Sequence, residues 1–257
     1  MVKDHIKRIN APRRWNILRK NYTFISRPNT GRDFTLCISL NTALKEMLGK
    51  TNTTKESKYL IKNKEVLING KPIFDEKFPV GFLDVMSFPA LNEHYRLLVS
   101  DENKLFLLKI KEEESKLKLS KVMNKKTLPK NIIQINSSDG RNFQFSAGDK
   151  ALNDLKINDT ILYSLPKQEI KQIIKLEKGV LVYLYKGKHI GKVVSVSDFK
   201  GENIIFALDK EVFETKKAYA FAIGKDAPII TLSEKTNREK QEKHESKEHK
   251  QDKKTPA

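Results

Sequence analysis

Within the first 32 residues nine lysines and arginines (Lys3, Lys7, Arg8, Arg13, Arg14, Arg19, Lys20, Arg27 and Arg32) interleave with Trp15, Tyr22 and Phe24, against one acid, Asp4. Cations at that density neutralise phosphates and release counterions, while the aromatic rings between them offer planes on which unpaired bases stack. His5 stands in the same run. Pro12, Pro28 and Gly31 interrupt it, and no helical or strand period is sustained. These residues predict an extended basic arm over residues 1–37, since a merely solvated tail is usually poor in aromatics.

Other residue types could suggest turnover. Asp84, Glu93 and His94 could serve acid-base chemistry, but a histidine and two carboxylates in loops beside Arg96 read as a hydrogen-bonding scaffold, and Arg96 is assigned to the basic surface. Asp149, Asp154 and Asp159 fall in loops without catalytic pairing. The run from Lys186 to Lys192 superficially matches a phosphate-binding loop, yet it is one residue short, lacks a hydroxyl residue after the lysine and leads into a strand. It reads instead as a glycine-hinged basic hairpin, with Lys188 and Lys192 facing a phosphate backbone. Cys37 is the only cysteine, which excludes an internal disulfide and a Cys-rich zinc site. No catalytic residue, metal, cofactor or small-molecule substrate is expected.

The elements that must position these groups begin with two short helices. Leu40, Leu44, Met47 and Leu48 share one helical face, and Gly49 ends that helix. The second helix opens on Thr53-x-x-Glu56, a capping box, and buries Ser57, Leu60 and Ile61. Lys55, Lys58 and Lys62 lie close to its other face beside Tyr59, and together with Lys45 and Lys71 they are assigned to phosphate contact. Val66-Leu67-Ile68 is a strand, Asn69-Gly70 a type I′ turn, and Pro72 marks an edge strand. Further strands are read at 85–88 and 105–110, and a helix at 112–119. Short strands follow at 132–135, 142–145 around an Asp139-Gly140 turn, 160–165 and 169–174. The last five, at 180–185, 192–196, 203–208, 212–215 and 218–223, suggest a small closed barrel.

Lys and Arg number 50 against 32 Asp and Glu, a net charge of +18, which points to a polyanionic partner. No apolar run is long enough to cross a bilayer, and residues 1–10 lack the apolar region of a signal peptide, so a cytosolic protein without membrane contact is expected. Residues 233–256 mix eight Lys/Arg with six acids and carry no aliphatic or aromatic side chain, so 227–257 is read as a disordered polar tail.

Several motifs together resemble the archaeal and eukaryotic S-four-e family of the small ribosomal subunit, the archaeal branch in particular. They are His5-Ile6-Lys7-Arg8 with Ala11-Pro12-Arg13-Arg14-Trp15, then Arg27-Pro28-Asn29-Thr30-Gly31. The most specific is Lys77-Phe78-Pro79-Val80-Gly81-Phe82-Leu83-Asp84-Val85 with Glu93-His94-Tyr95-Arg96. Gly187-Lys188-His189-Ile190-Gly191-Lys192 is similar to the KOW motif, and Phe213-Glu214-Thr215 with Phe221-Ala222-Ile223-Gly224 to the closing strand pair. Lys64, Arg32-Asp33 and Lys186 depart from the family pattern.

The resemblance implies a multidomain α+β protein. The basic arm (1–37) would be followed by an S-four-type RNA-binding domain (38–100), a central β domain (101–175), a KOW SH3-like barrel (176–226) and the tail (227–257). It implies a non-enzymatic structural constituent of the small subunit that binds rRNA, beside neighbouring ribosomal proteins, on cytoplasmic ribosomes. An RNA-modifying enzyme would need a catalytic domain for which no constellation exists. A KOW-type transcription factor would leave the arm and the helices without a purpose.

Overall fold

Strands outnumber helices along the chain: burial alternates along those at 132–137, 142–146, 193–200 and 203–208, whereas those at 85–88 and 220–224 are buried on both faces. The computed structural model describes residues 5–146, 154–208, 211–225 and 227–232. Lys3, Asp4, Asp149 and the chain beyond Leu232 lie outside the described residues.

In the arm, β1 (Ile6–Lys7) pairs with β2 (Phe24–Ile25), and β3 (Cys37–Ser39) leads into the first helix. That helix, α1 (Leu40–Thr42), widens at once into a π-helical turn over Ala43–Met47, where the Leu48 amide reaches back five residues to the Ala43 carbonyl. The wider turn buries Ala43 with Leu40 and Leu44 and leaves Met47 and Leu48 only partly covered. In α2 (Thr54–Lys62) the Thr53 hydroxyl accepts from the Glu56 amide at 3.3 Å, and Ser57 and Ile61 are buried as expected. The Glu56 carboxylate accepts from the Asn52 amide, one residue before the cap. Lys64 ends the helix in the left-handed region, φ 60°.

Residues 67–72 form the predicted hairpin, with β4 (Leu67–Ile68) and β5 (Lys71–Pro72) joined by Asn69 at φ 51° and Gly70 at φ 74°. β6 (Pro79–Gly81) pairs with β3, and β7 (Val85–Phe88), β8 (Glu93–Val99) and β9 (Leu105–Ile110) complete a sheet ordered β5-β4-β7-β8-β9. The boundary expected after residue 100 therefore falls inside the β8–β9 hairpin. α3 covers only Glu112–Ser115, because the chain then enters β10 (Leu117–Leu128), whose two halves pair with different strands. With β11 (Ile132–Ser137), β12 (Asn142–Ser146), β13 (Thr160–Ser164) and β14 (Ile170–Ile174) it forms the sheet β12-β11-β10-β13-β14.

The last sheet, β18-β17-β16-β15-β19, comprises β15 (Leu181–Leu184), β16 (Val193–Lys200), β17 (Asn203–Leu208), β18 (Glu211–Lys216) and β19 (Ala220–Gly224). Its ladder runs between the edges β18 and β19, and among the described residues no pairing joins those two. Residues 229–232, expected within a disordered tail, are packed instead. Ile230 and Leu232 are buried against Leu119 and Phe221, and Thr231 donates from its amide and hydroxyl to Glu114.

Buried charge ties the units together. Asp84, fully buried, accepts from Lys118 at 2.5 Å, the Gly81 amide at 2.7 Å, Asn69 Nδ2 at 2.9 Å and Arg32 at 3.1 Å. Lys118 also meets Asp139 at 3.1 Å, whose carboxylate accepts from the Tyr163 hydroxyl at 2.5 Å. Burial pushes both carboxyls up, but the neighbouring cations outweigh it: Asp84 is held below the ordinary range and Asp139 is brought to about 2. Lys121, fully buried, donates to the carbonyls of Lys217, Ala218 and Ala220, bolting β10 to the turn before β19.

Candidate nucleic-acid interface

The arm, the π turn, α2 and the loop before β6 bring cations from four parts of the sequence to one side. His5 and Arg27 of the arm line a concavity of about 290 Å³ with Lys45 of the π turn and Lys77. A second concavity, sharing Glu76 and Lys77 with the first, is lined by Lys58 and Lys62 of α2 and by Phe74. Tyr22, Phe24, Tyr59 and Phe74 are exposed along the arm, α2 and this loop. Exposed rings among cations, flanking two shallow hollows, suit a sugar-phosphate backbone with occasional unpaired bases. Sequence reading missed Lys77 and Phe74. Their signal was weak, because only the fold sets residues 74–77 beside α2.

Three expected RNA contacts are corrected by burial. Trp15 is fully buried in the core with Leu40, Leu44, Val80 and Leu105, so no base can stack on it. The Arg8 guanidinium, 3 % exposed, is held by the Glu46 carboxylate and donates to the Leu18 carbonyl at 2.8 Å. Arg96, 1 % exposed, donates to the carbonyls of Glu114 and Leu117 and pairs with the Glu114 carboxylate at 3.5 Å. The arm is thus folded onto the first sheet, with the Leu105 amide donating to the Arg14 carbonyl, and is not a free extended strand.

Other expected contacts divide by partner. Arg19 is half-buried and donates to the carbonyls of Ala11 and Pro12 at 2.8 Å, which folds the arm upon itself. Arg32 is committed to Asp84, and Arg14 is half-buried. His5, Lys7, Arg13, Lys20, Lys55, Lys58, Lys62, Lys71 and Lys188 are exposed, Lys58 in an ion pair with Glu76 at 3.1 Å. Lys71 sits on the edge strand β5, and Lys188 and half-buried Lys192 belong to the last sheet's loop, away from the two concavities. That loop also docks: Ile190 enters the arm's core, and Gly191 lies against the Ser100-Asp101 turn, where a Cβ would strike backbone.

The groups that suggested acid-base chemistry are saturated. Asp84 has its four donors. Glu93 accepts from Lys50, from Lys109 at 3.2 Å and from the Tyr95 hydroxyl at 3.1 Å, and the lysine hydrogen bonds bring its carboxyl to about 2. His94 shares a hydrogen bond with Ser87 at 2.9 Å. Burial, above all, pushes the Cys37 thiol up to about 12, which leaves it inert. Among the described residues no group of three or more His, Cys, Asp and Glu is placed to hold a metal, and no helix is long and apolar enough to cross a membrane.

Comparison with known proteins gives a consistent set of likenesses. Residues 2–31 match the RS4NT (NUC023) domain and residues 91–170 match Ribosomal family S4e. Small ribosomal subunit protein eS4 of Methanocaldococcus jannaschii is 36 % identical over 241 residues, spanning 90 % of this chain and 98 % of that protein. The eS4 of Methanosphaera stadtmanae is 32 % identical over 237 residues, spanning 90 % and 96 %. The crystal structure of 30S ribosomal protein S4e from Thermoplasma acidophilum superposes with a TM-score of 0.61 at 30 % identity, covering 74 % of this chain and 95 % of that one.

Proposed function

The chain belongs to ribosomal family S4e and is a structural constituent of the small ribosomal subunit, and from that premise we propose that it grips rRNA by phosphate and shape contacts, without turnover. In this reading residues 38–100, extended by β9, act as an S-four-type RNA-binding domain to which the folded arm adds its exposed cations. Residues 176–226 act as a KOW-type barrel, and the sheet of β10 to β14 fixes the two at one orientation through Asp84, Lys118 and Lys121. The observation that carries the proposal is the meeting of His5, Arg27, Lys45, Lys58, Lys62 and Lys77 around two adjoining hollows flanked by exposed aromatic rings. Separated surface lysines would give only diffuse attraction, whereas convergent ones track a backbone.

The partners in this reading are small-subunit rRNA and neighbouring ribosomal proteins, met on cytoplasmic ribosomes. Co-sedimentation from cell extract after a high-salt wash tests it. The chain is expected to travel with the small subunit. Recovery with RNA polymerase, or free at the top of the gradient, would contradict it.

A further inference from the structure

A cavity of about 380 Å³ opens where the arm, the loop after β6, the turn between β11 and β12 and the end of β15 meet. Its size falls at the lower end of small-ligand sites. Phe82, Tyr185 and Phe221 line one side, with Phe82 and Tyr185 stacked at 5.3 Å between centroids. Gly31, Gly81 and Gly140 contribute backbone alone, which keeps the space open. Ser137 lines it at 7 % exposure, and its hydroxyl oxygen is buried without a hydrogen-bond partner. A buried hydroxyl left unpaired inside a cavity is a group that waits for a ligand's polar edge.

The charges narrow the ligand class. Two cations line the cavity and each is already matched: Arg32 by Asp84 at 3.1 Å, and Lys186 by Asp33 at 2.8 Å. A free nucleotide di- or triphosphate would find no spare positive charge there. A nucleobase would find rings to lie against, the Ser137 hydroxyl for its edge and a wet rim of ion pairs, while its phosphates are held elsewhere on a polymer. Asp33 and Lys186 meet at this rim. We propose that this cavity receives a single unstacked base of an RNA strand, a site distinct from the two basic hollows. The inference rests on the RNA-binding reading above.

The test uses the full chain and three RNA hairpins: one with a single bulged adenosine, one with an abasic nucleotide at the bulge, and one fully paired. The bulged hairpin should bind about tenfold more tightly than the abasic one, the worth of one stacked base. Met123→Trp, which sits half-exposed at the rim and would plug the mouth, should erase that difference, and Ser137→Ala should shrink it. Both variants should bind the paired hairpin as the unsubstituted chain does, which also reports that they fold. Free AMP should bind at least about tenfold more weakly than the bulged hairpin. Equal binding of bulged and abasic hairpins overturns the site, as does a difference that survives Met123→Trp, or AMP binding as tight as RNA. Loss of binding to all three hairpins by the unsubstituted chain would instead overturn the RNA-binding reading itself.

Discussion

Asp84→Asn removes one charge and almost no volume at the point where the arm, the first sheet and the central sheet meet. The carboxylate is wholly buried and serves four donors, two of them the cations of Lys118 and Arg32. After the substitution Lys118 keeps Asp139 at 3.1 Å, but Arg32 loses the carboxylate it is ion-paired with and an amide N–H must face a donor. Breaking a buried pair from one side costs about 3–5 kcal/mol. Against a total stability of about 5–15 kcal/mol that is a large share. A urea titration followed by circular dichroism should show the midpoint falling by about 1 M or more for a slope near 3 kcal/mol/M. The exposed pair Glu112–Lys116 is the control, since Glu112→Gln should leave the urea midpoint essentially unchanged. The pH dependence has a fixed sign. Asp84 and Asp139 are held below their unfolded values, so their contribution is present above about pH 4 and is lost as pH falls through the folded values. Asp84→Asn should flatten that acid loss. A single-variant cost below about 1 kcal/mol, the range of an exposed pair, would mean that Asp84 does not anchor a buried charge cluster.

Three further outcomes follow from the same geometry. Burial, and then Lys186, bring Lys121 down to about 7, so the unfolded chain binds the extra proton and stability should rise by roughly 2 kcal/mol from pH 7 to pH 9; Lys121→Met should flatten that rise in urea midpoints taken at the two pH values. Trp15→Ala should cost about 3–5 kcal/mol in the same assay, as a core deletion, while exposed Tyr22→Ala should stay within about 0.5 kcal/mol; for the same reason deletion of residues 1–32 should unfold the first sheet rather than merely weaken RNA affinity. Lys64→Gly, at the left-handed helix end, should raise stability by about 1 kcal/mol by calorimetry, because glycine adopts that conformation without Cβ strain.

Local chemistry was the legible part. The Asn69-Gly70 turn, the Thr53 cap, and the strands around residues 132–145 and 203–223 depend on neighbours a few residues away, and they lie close to where the sequence places them. Features decided by distant partners were hidden. β10 reads as a basic stretch because Lys118 and Lys121 sit in it, and only Asp84, Asp139 and three carbonyls from other elements allow those amines to be buried. β8 was obscured in the same way by Arg96, whose partners lie in and just after α3. Trp15 looked like a stacking plane because its core is supplied by residues 36–105. Ile229, Ile230 and Leu232 were a readable signal, a short apolar run after Pro228 that had no apparent surface to cover. Of the RNA-binding residues proposed from sequence, the surface cations of α2 are exposed as that reading requires, whereas Arg8, Trp15 and Arg96 were assigned by residue type without knowledge of their burial.

Whether the cations around the two hollows grip RNA is read from the salt dependence of affinity for a small-subunit rRNA fragment. Each cation that displaces a counterion adds about 0.7–0.9 to the slope of log affinity against log salt. Replacing Lys45, Lys58, Lys62 and Lys77 together by Gln should leave the urea midpoint nearly unchanged and make the slope shallower by about 3. An unchanged slope in a folded variant would contradict the account, because rRNA would then be held by a different face.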